Sequence, residues 1–251
     1  MEIRMLLLMP LAFICEFIDS SLGMGYGTSL TPLLLLMGYE PLQIVPAVLF
    51  SEFVSGITAA SFHHSIKNVD FKRSLRDRQV AMVLSVFSII GTIAAVIIAV
   101  KLSKQMLTIL IGMIVLLMGV FILVTYKRSP RFTWRKIIAL GTVASFNKGM
   151  SGGGYGPLVM GGQMLSGVGV KNAVGITSLA EGLTCLVGVI VYFVLGKQAD
   201  WSLAPWLMAG AVLSVPWAVH MLKRIPENMV KKIIAVVILI LGVLTLWKAF
   251  Y

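Results

Sequence analysis

The chain has little charge and very few acids. Only 12% of its 251 residues are charged, and Asp and Glu together contribute ten, whereas 58% are hydrophobic. A soluble domain of this length needs a more polar surface, so the composition excludes one and predicts an integral membrane protein. Apolar runs recur up to the last residue, so we expect the first run to be retained and not cleaved as a signal peptide.

Cysteine is almost absent, and Cys15 and Cys185 each lie inside an apolar run. A free thiol there behaves as a small hydrophobe, so we expect neither a disulfide nor a metal site. The sequence also lacks a nucleotide-binding signature, paired metal ligands and a Ser-His-Asp spacing, so we predict no cofactor and no ATP-driven transport. His63 and His64 are predicted to be interfacial and lie far along the chain from any activated Ser or Cys. An intramembrane enzyme is therefore a secondary alternative.

Basic residues outnumber acids, with a formal net charge of +11. Fourteen of the 21 basic residues lie in three short segments, 67–78, 127–136 and 223–232. Such clusters beside apolar runs are typical of cytoplasmic loops. They do not resemble a nucleic-acid-binding surface, so we expect no nucleic-acid partner.

Apolar segments alternate with short polar ones along the whole chain, which predicts an all-α polytopic membrane protein. Eight segments are long enough to cross a bilayer: 5–22, 44–62, 80–100, 106–126, 137–150, 173–195, 203–222 and 229–250. Two shorter apolar segments, 28–37 and 157–165, each follow a glycine-rich stretch.

The sequence repeats itself with an offset of 129 residues. This offset aligns Phe17 with Phe146, Tyr26 with Tyr155, Glu52 with Glu181, and Gly23, Gly25 and Gly27 with Gly152, Gly154 and Gly156. We therefore predict two homologous halves, 1–126 and 137–251, joined by a basic cytoplasmic linker at 127–136.

The two halves can run parallel or inverted, depending on whether the short segments cross. With five crossings per half the second half is inverted, and all three basic segments fall inside together with Lys171. Glu40, Lys101, Lys104 and Lys197 then fall outside. With four crossings the segment 223–232 faces outside, against the charge rule, so we favour inversion. Ten helical residues span about 15 Å, half of a hydrocarbon core, so the short segments are half-helices or re-entrant segments.

Glycine-rich stretches occupy matching points of both halves, SSLGMGYGTSLTP at 20–32 and GMSGGGYGPL at 149–158. Non-helical backbone at membrane depth survives only when buried in protein or lining a wet cavity. Glycine lets the backbone approach a ligand, and a helix that begins after it offers N–H groups to an anion. We predict a substrate site here, with close helix packing as the alternative. The predicted substrate-binding residues are Ser20, Ser21, Gly23, Gly25, Tyr26, Gly27, Thr28, Asn147, Lys148, Ser151, Gly152, Gly153, Gly154, Tyr155 and Gly156.

Four of the ten acids lie within apolar segments, where ionisable groups are functional candidates. Glu52 and Glu181 would face each other across a pseudo-two-fold axis and could carry protons, since burial favours the protonated carboxyl. Hydrogen bonding to broken backbone is their alternative role. The predicted coupling or pathway residues are Glu16, Asp19, Ser51, Glu52, Thr177, Ser178 and Glu181.

Lys148 aligns with Asp19 in the repeat, and the two are predicted to meet near the axis. With Asn147 and the glycines beside it, Lys148 is a candidate clamp for an anionic head group. An ion pair between Asp19 and Lys148 that holds the halves together is the alternative, and the two roles do not exclude each other.

The chain resembles the sulfite exporter TauE/SafE family of bacterial membrane transporters over nearly its whole length. The resemblance rests on FIDSSLGMGYGTSLTPLLLLMGYEP with AVLFSEFVSG, and on SGGGYGPLVMGGQML with AVGITSLAEG. It implies a helical bundle of two related halves in the bacterial cytoplasmic (inner) membrane, and export of sulfite or of an organosulfonate such as sulfoacetate or taurine. GMGYG departs from a more uniform glycine run, and Lys148 stands where a small or polar residue would be expected.

These observations predict a secondary transporter that exports a small sulfur-containing anion, with protons as the candidate coupling ion. One alternative is transport of another solute, including a cation bound by Glu16, Asp19, Glu52 and Glu181. Another is a membrane scaffold that transports nothing. The expected partners are a small anionic substrate and the lipid bilayer, and a homodimer is an open possibility.

Overall fold

The computed structural model describes residues 2–125, 134–165, 168–196, 201–222 and 227–250, which form ten helices and no strand. In chain order these are α1 (Glu2–Leu22), α2 (Tyr26–Leu36), α3 (Pro41–Ser65), α4 (Leu75–Ala99), α5 (Lys104–Thr125), α6 (Trp134–Ser151), α7 (Tyr155–Leu165), α8 (Val170–Val194), α9 (Ala204–Met221) and α10 (Glu227–Phe250). Helices α2 and α7 have 11 residues each, and the other eight have 18 or more. The predicted all-helical fold is confirmed for these ranges.

Each predicted apolar segment corresponds to one helix, but most helices begin a few residues earlier because polar residues form their first turns. Ser74 caps α4, its Oγ accepting the backbone N–H of Asp77 at 3.2 Å. Helix α3 begins with Pro41 after Glu40, whose backbone N–H donates to Gln43 Oε1 at 3.3 Å. Proline and capping side chains suit a helix start because the first N–H groups have no intrahelical partner.

Six of the described helices, α3, α4, α5, α8, α9 and α10, are long and apolar enough to cross a membrane. An 18-residue helix is about 27 Å long, close to the thickness of the hydrocarbon core. The chain is therefore a multi-pass membrane protein. That α1 and α6 also cross stays a prediction.

Helices that the predicted repeat makes equivalent pack against each other in opposite directions. Along α8, Gly175, Gly182 and Gly188 lie beside His63, Gly56 and Leu49 of α3 in turn. Along α5, Gly112 and Gly119 lie beside Leu246 and Leu239 of α10. Residue numbers rise on one helix of each pair and fall on the other, so both pairs are antiparallel. Small residues at these contacts let the backbones approach closely, as membrane helices require.

The bundle has two ends. One end, the loop face, is formed by residues 66–74 between α3 and α4. Helix α8 also begins at this face, as shown by the hydrogen bond from Asn172 Nδ2 to Asp77 Oδ2 at 2.7 Å. The other end, the opposite face, carries Glu40 and Lys104, which form an exposed ion pair at 2.8 Å. Helix α10 ends at the opposite face, where Gln105 Nε2 donates to the carbonyl oxygen of Ala249.

Several predicted loop features lie outside the described residues. They are residues 127–133 of the linker, Lys197, and residues 223–226 of the third basic segment. Helix α6 begins within the linker, and α10 begins within the third basic segment. Helix α6 begins at the loop face, since it runs alongside α4 in the same direction, with Gly141 by Leu84 and Gly149 by Thr92. Helix α10 begins there too, since its other end lies at the opposite face.

The inside of the bundle combines a hydrophobic core with buried polar groups, and its outside carries many apolar side chains. Cys15 and Cys185 are buried free thiols. Large apolar side chains such as Val86, Leu117 and Val243 are about half exposed or more. Among the residues whose burial the structure describes, the buried charged ones are Glu16, Asp19, Glu52, Asp77, Lys148 and Glu181. Such a distribution suits a bundle whose surface contacts lipid and whose centre holds a polar site.

Candidate functional site

Both glycine stretches interrupt a helix. Helix α1 ends at Leu22 and α2 begins at Tyr26, and Gly23 and Gly25 between them have φ angles of 72° and 136°. Helix α6 ends and α7 begins in the same way around Gly152 and Gly154, with φ angles of 71° and 80°. Side chains with a Cβ rarely adopt these conformations, so each break needs glycine at these positions.

The two breaks cross each other in direct backbone contact. A Cβ atom on Gly27 would lie 1.6 Å from the carbonyl oxygen of Gly152, and one on Gly156 would lie 2.6 Å from the carbonyl oxygen of Gly23. The predicted repeat pairs Gly27 with Gly156 and Gly23 with Gly152, so the two contacts are reciprocal. A reciprocal contact is the signature of a two-fold arrangement. The two glycine stretches, predicted to form a substrate site, therefore meet in one crossing.

Polar side chains satisfy the backbone at this crossing. Gly154 N–H donates to Thr28 Oγ1 at 2.9 Å, from one half to the other. Gly153 N–H donates to Ser151 Oγ at 3.1 Å. At the start of α2, Tyr26 N–H donates to Asp19 Oδ1 at 3.1 Å. A carboxylate thus already occupies the N-terminus of α2, where the helix dipole favours negative charge.

Lys148 lies at the centre of the buried charges. Its Nζ is 2.8 Å from Glu181 Oε1 and also pairs with Glu52 Oε2, and all three side chains are at most 4% exposed. Carboxylate oxygens of Asp19, Glu52 and Glu181 all lie within 4.8 Å of one another. We call these four residues the buried cluster. The antiparallel packing of α3 and α8 leaves Glu52 and Glu181 about one and a half turns apart along the bundle, and Lys148 between them pairs with both.

The hypothesis of an ion pair between Asp19 and Lys148 is wrong for this conformation. In the described part of the chain the ion-pair partners of Lys148 are Glu52 and Glu181. Asp19 instead accepts the N–H of Tyr26, since its side chain is short and follows its own broken helix.

The buried cluster has more carboxyls than ammonium groups. Three carboxyls and one ammonium carry two negative charges in excess when all are ionised, and an unbalanced buried charge is strongly disfavoured. Glu52 Oε1 and Glu181 Oε2 are buried and accept no hydrogen bond from a described residue. The cluster is therefore suited to take up protons or a cation, and its lysine is suited to hold an anion.

Glu16 lies beside the cluster, one turn before Asp19 on α1, and has hydrogen-bond partners of its own. It accepts hydrogen bonds from Ser20 Oγ at 2.6 Å and from Ser55 Oγ at 3.0 Å. Both of its oxygens thus have a hydroxyl donor, which sets Glu16 apart from Glu52 and Glu181.

The remaining predicted site residues divide into two groups. Tyr26 and Tyr155 are completely buried, and their hydroxyls lie 2.6 Å from Ser51 Oγ and 3.1 Å from Ser88 Oγ. The side chains of the second group form hydrogen bonds within their own helix or with a neighbouring side chain, or are less buried. Ser21 bonds the carbonyl of Ile18, Thr177 accepts from Gln163 Nε2, Ser178 bonds the carbonyl of Val174, and Asn147 is half-buried.

Sequence reasoning missed several polar residues near the breaks. Ser55 lies on α3 one turn after Glu52, a spacing that places both on one side of a helix. Ser88 and Gln163 carry no comparable signal. His63, predicted to be interfacial, lies near the loop-face end of α3, but it is completely buried and its Nε2 contacts the carbonyl oxygen of Ser20 at 3.0 Å. His64 is half-buried.

Comparison with known proteins agrees with the resemblance seen in the motifs. A family model described as Sulfite exporter TauE/SafE matches residues 8–245. The chain is 24% identical over 250 residues to the "Probable membrane transporter protein YtnM" of Bacillus subtilis (strain 168), across 94% of this chain and 80% of the relative. No solved structure gives a significant match. The matched region contains both breaks and the whole buried cluster.

Proposed function

The chain belongs to the TauE/SafE sulfite exporter family of membrane transporters, and from this premise we propose that it is a secondary transporter of a small sulfur-containing anion. The cargo is sulfite or an organosulfonate such as sulfoacetate or taurine, exported across the bacterial cytoplasmic membrane. The observation that carries the proposal is the position of Lys148, a fully buried ammonium beside the crossing of two broken helices. Broken helices that meet at a buried charge are the usual substrate site of secondary transporters.

The two halves act as inverted repeats in this proposal. Antiparallel packing of α3 with α8 and of α5 with α10 supports this arrangement, as does the reciprocal contact of the glycines. Helix α1 runs in the direction of α3, since Glu16 and Ser20 bond Ser55 and His63 in that order. Helix α2 returns toward Glu40, so α1 and α2 form a hairpin with a re-entrant second arm. Rocking of one half against the other would then expose the cluster to each face alternately.

The loop face is the cytoplasmic face in this account. The described basic residues of segment 67–78 lie there, and so does Lys171, next to Asn172 at the start of α8. Short loops rich in Lys and Arg stay on the cytoplasmic side. The opposite face, with Glu40 and Lys104, is then external.

The anion binds between Lys148 and the N-terminus of α7. The first N–H groups of a helix have no intrahelical partner and attract anions. At α2 the carboxylate of Asp19 fills this role, whereas at α7 the repeat places Lys148 where Asp19 would be. The second break therefore combines a helix N-terminus with a cation and carries no carboxylate of its own. Since the breaks touch, the halves must separate before an anion of several atoms can bind there.

Protons couple to transport because the anion competes with carboxylates for Lys148. Each carboxylate that leaves the ammonium must be neutralised in the buried site, and a proton is the smallest group that can do so. Glu52 and Glu181 are the carboxyls that pair with Lys148, so they carry these protons. A bound monoanion is then accompanied by about one proton.

Transport of a cation is the second candidate function. It is favoured by the carboxylate oxygens of Asp19, Glu52 and Glu181, which lie within 4.8 Å of one another. Such a site binds a cation more tightly as pH rises and the carboxyls ionise, whereas the anion site binds more tightly as pH falls. The pH dependence of substrate affinity thus separates the two functions.

Transport by purified protein in proteoliposomes tests the proposal. Radiolabelled sulfite, sulfate, taurine and sulfoacetate are compared, and Lys148→Ala is expected to abolish movement of whichever anion is transported. Lys104→Ala is the matched control, since Lys104 lies in the exposed pair with Glu40. Unchanged transport by Lys148→Ala would remove Lys148 from the site, and a failure of the native protein to move any of these anions would reject the cargo class.

A further inference from the structure

The broken ends of α1 and α6 are capped by different side chains at equivalent positions. Because the last four carbonyls of a helix have no intrahelical partner, those of Ser20 and Gly149 need donors from elsewhere. His63 Nε2 lies 3.0 Å from the carbonyl oxygen of Ser20, and the hydroxyl of Tyr192 donates to that of Gly149 at 3.1 Å. Ser20 and Gly149 are 129 residues apart, and so are His63 and Tyr192.

The two caps lie at different faces of the bundle. His63 is two residues before the end of α3, at the loop face, and Tyr192 is two residues before the end of α8. Since α8 is antiparallel to α3, Tyr192 lies toward the opposite face. Each break is therefore held by one cap, and each cap is close to one face only.

Hydrogen bonding defines the protonation state of His63. The carbonyl of Ser20 can only accept, so Nε2 carries a hydrogen. With the Asn68 amide oriented as in the structure, its Nδ2 at 3.0 Å can only donate, so Nδ1 accepts and the imidazole is neutral. Asn68 is itself buried, and its Oδ1 accepts no hydrogen bond from a described residue.

We propose that His63 is a proton-sensitive positioning residue that holds the α1 break closed toward the loop face, and that Tyr192 is its proton-insensitive counterpart. A proton on Nδ1 would point at the amide NH₂ group of Asn68, so two hydrogen-bond donors would face each other. The imidazolium must then turn the Asn68 amide or leave the dry interior, since a buried unpaired charge is disfavoured. Turning the amide lets Asn68 Oδ1 accept from Nδ1 but leaves the positive charge buried, whereas departure of the ring frees the carbonyl of Ser20 and shifts the population toward states in which the break opens. A phenol has no such proton step near neutral pH.

Other ionisable groups lie on the elements packed around His63. They are Glu16 and Asp19 on α1, His64 on α3, Lys67, Asp70, Lys72 and Arg73 in the loop, Asp77 on α4, Lys171 on α8 and His220 on α9. Asp70 is fully ionised in the range of interest, because the backbone N–H groups of Arg73 and Lys72 lower the pKa of its carboxyl below the ordinary value. His64 is the neighbour that an experiment must separate from His63.

Hydrogen exchange of the purified native protein tests the cap without any substrate. Amide exchange in residues 19–27, corrected for intrinsic rates, is expected to become at least about threefold faster between pH 8 and pH 5. The break at 149–155, capped by Tyr192, serves as the internal control and is expected to change much less. Equal acceleration of both breaks, or of neither, would overturn the proposal.

Variants assign the response to one imidazole. His63→Gln keeps an N–H for the carbonyl of Ser20 and removes the proton site, so exchange of residues 19–27 should lose its extra acid sensitivity. His64→Gln is the matched control and should keep it. If His63→Gln does not fold, Tyr192→His is the second variant, and it should make the break at 149–155 acid-sensitive. Persistence of the native acid response in His63→Gln would contradict the assignment. So would a Tyr192→His variant in which exchange at 149–155 does not respond to acid.

Transport measured with acid at one face of the membrane links the cap to function. Of these experiments, only this one rests on the proposed transport of an anion. In oriented vesicles, acid at the loop face should alter the transport rate through His63, and the effect should be absent in His63→Gln. Acid at the opposite face should give the same result in both proteins. If residues 19–27 show no acid response in exchange while anion transport is normal, only the cap is rejected. If they show the acid response but no anion is transported, only the transport function is rejected.

Discussion

The ammonium of Lys148 lies 2.8 Å from Glu181 Oε1 where both side chains are almost completely removed from solvent. The same ammonium pairs with Glu52, which the predicted repeat makes the equivalent of Glu181. One lysine from the second half thus joins two equivalent acids from different halves. Any event that withdraws this lysine leaves two buried carboxyls that must find another partner.

Replacing Lys148 by methionine should destabilise the protein. The change removes the ammonium and leaves Glu52 and Glu181 without their ion-pair partner, a loss expected to cost about 3–5 kcal/mol. Thermal unfolding in detergent measures it, with Glu52→Gln and Glu181→Gln added to the same chain as the compensating change. The triple variant should recover much of the lost stability, and a triple variant as unstable as Lys148→Met would show that the ion pairs are not the cause.

The crossing of the two breaks should not tolerate a methyl group. Alanine at Gly27 or at Gly156 places a Cβ 1.6 Å or 2.6 Å from a backbone carbonyl oxygen of the other half. Because backbone must move to relieve the clash, each change should cost about 4 kcal/mol or more and reduce the folded yield. Gly169→Ala is the control, since its Cβ would meet only Asn172 Oδ1, at 3.6 Å. Folded Gly27→Ala protein with native stability would contradict the crossing.

The hydroxyl of Thr28 should matter more than that of a similar threonine elsewhere. Thr28→Val leaves the buried N–H of Gly154 without its acceptor, which is expected to cost about 1–3 kcal/mol. Thr58→Val, at a half-buried hydroxyl that bonds only its own helix at Val54, should cost less. Equal melting temperatures of the two variants would argue against the Thr28 contact.

Glu52 and Glu181 should both be needed for coupling to protons. Glutamine at either position keeps the size of the side chain but removes its proton site, so transport by the variant should respond less to an imposed pH gradient. The Glu16→Gln variant should retain the response, because Glu16 does not pair with Lys148 and both of its oxygens accept from hydroxyl groups. A full response in the Glu52→Gln, Glu181→Gln double variant would exclude both acids as proton carriers.

The helices and the two breaks could be predicted from the sequence because both depend on local signals. Runs of apolar residues predicted the helices, and Gly23, Gly25, Gly152 and Gly154 marked the positions with positive φ. The family was likewise predicted from the motifs and is confirmed by the match over residues 8–245.

The pairing inside the site could not be predicted in the same way. The offset of 129 residues related Asp19 to Lys148, and both lie in the buried cluster, but it did not show that Lys148 pairs with Glu52 and Glu181. Which side chains actually meet depends on the level at which α3 and α8 cross, and that level is set by the contact of Gly56 with Gly182. The contact of His63 with Ser20 could not be predicted either, since a nearby basic loop does not reveal that an orphan carbonyl of α1 lies beside the ring.

The most direct test of the account is to count the protons taken up when the purified protein binds its anion. Calorimetry of sulfite binding in buffers of different ionisation enthalpy gives this number and needs no vesicles. Because the anion must displace a carboxylate from Lys148, we predict an uptake of about one proton for each negative charge bound, and no binding to Lys148→Met. Anion binding without proton uptake, or undiminished binding to Lys148→Met, would contradict the claim that substrate and acids share this lysine.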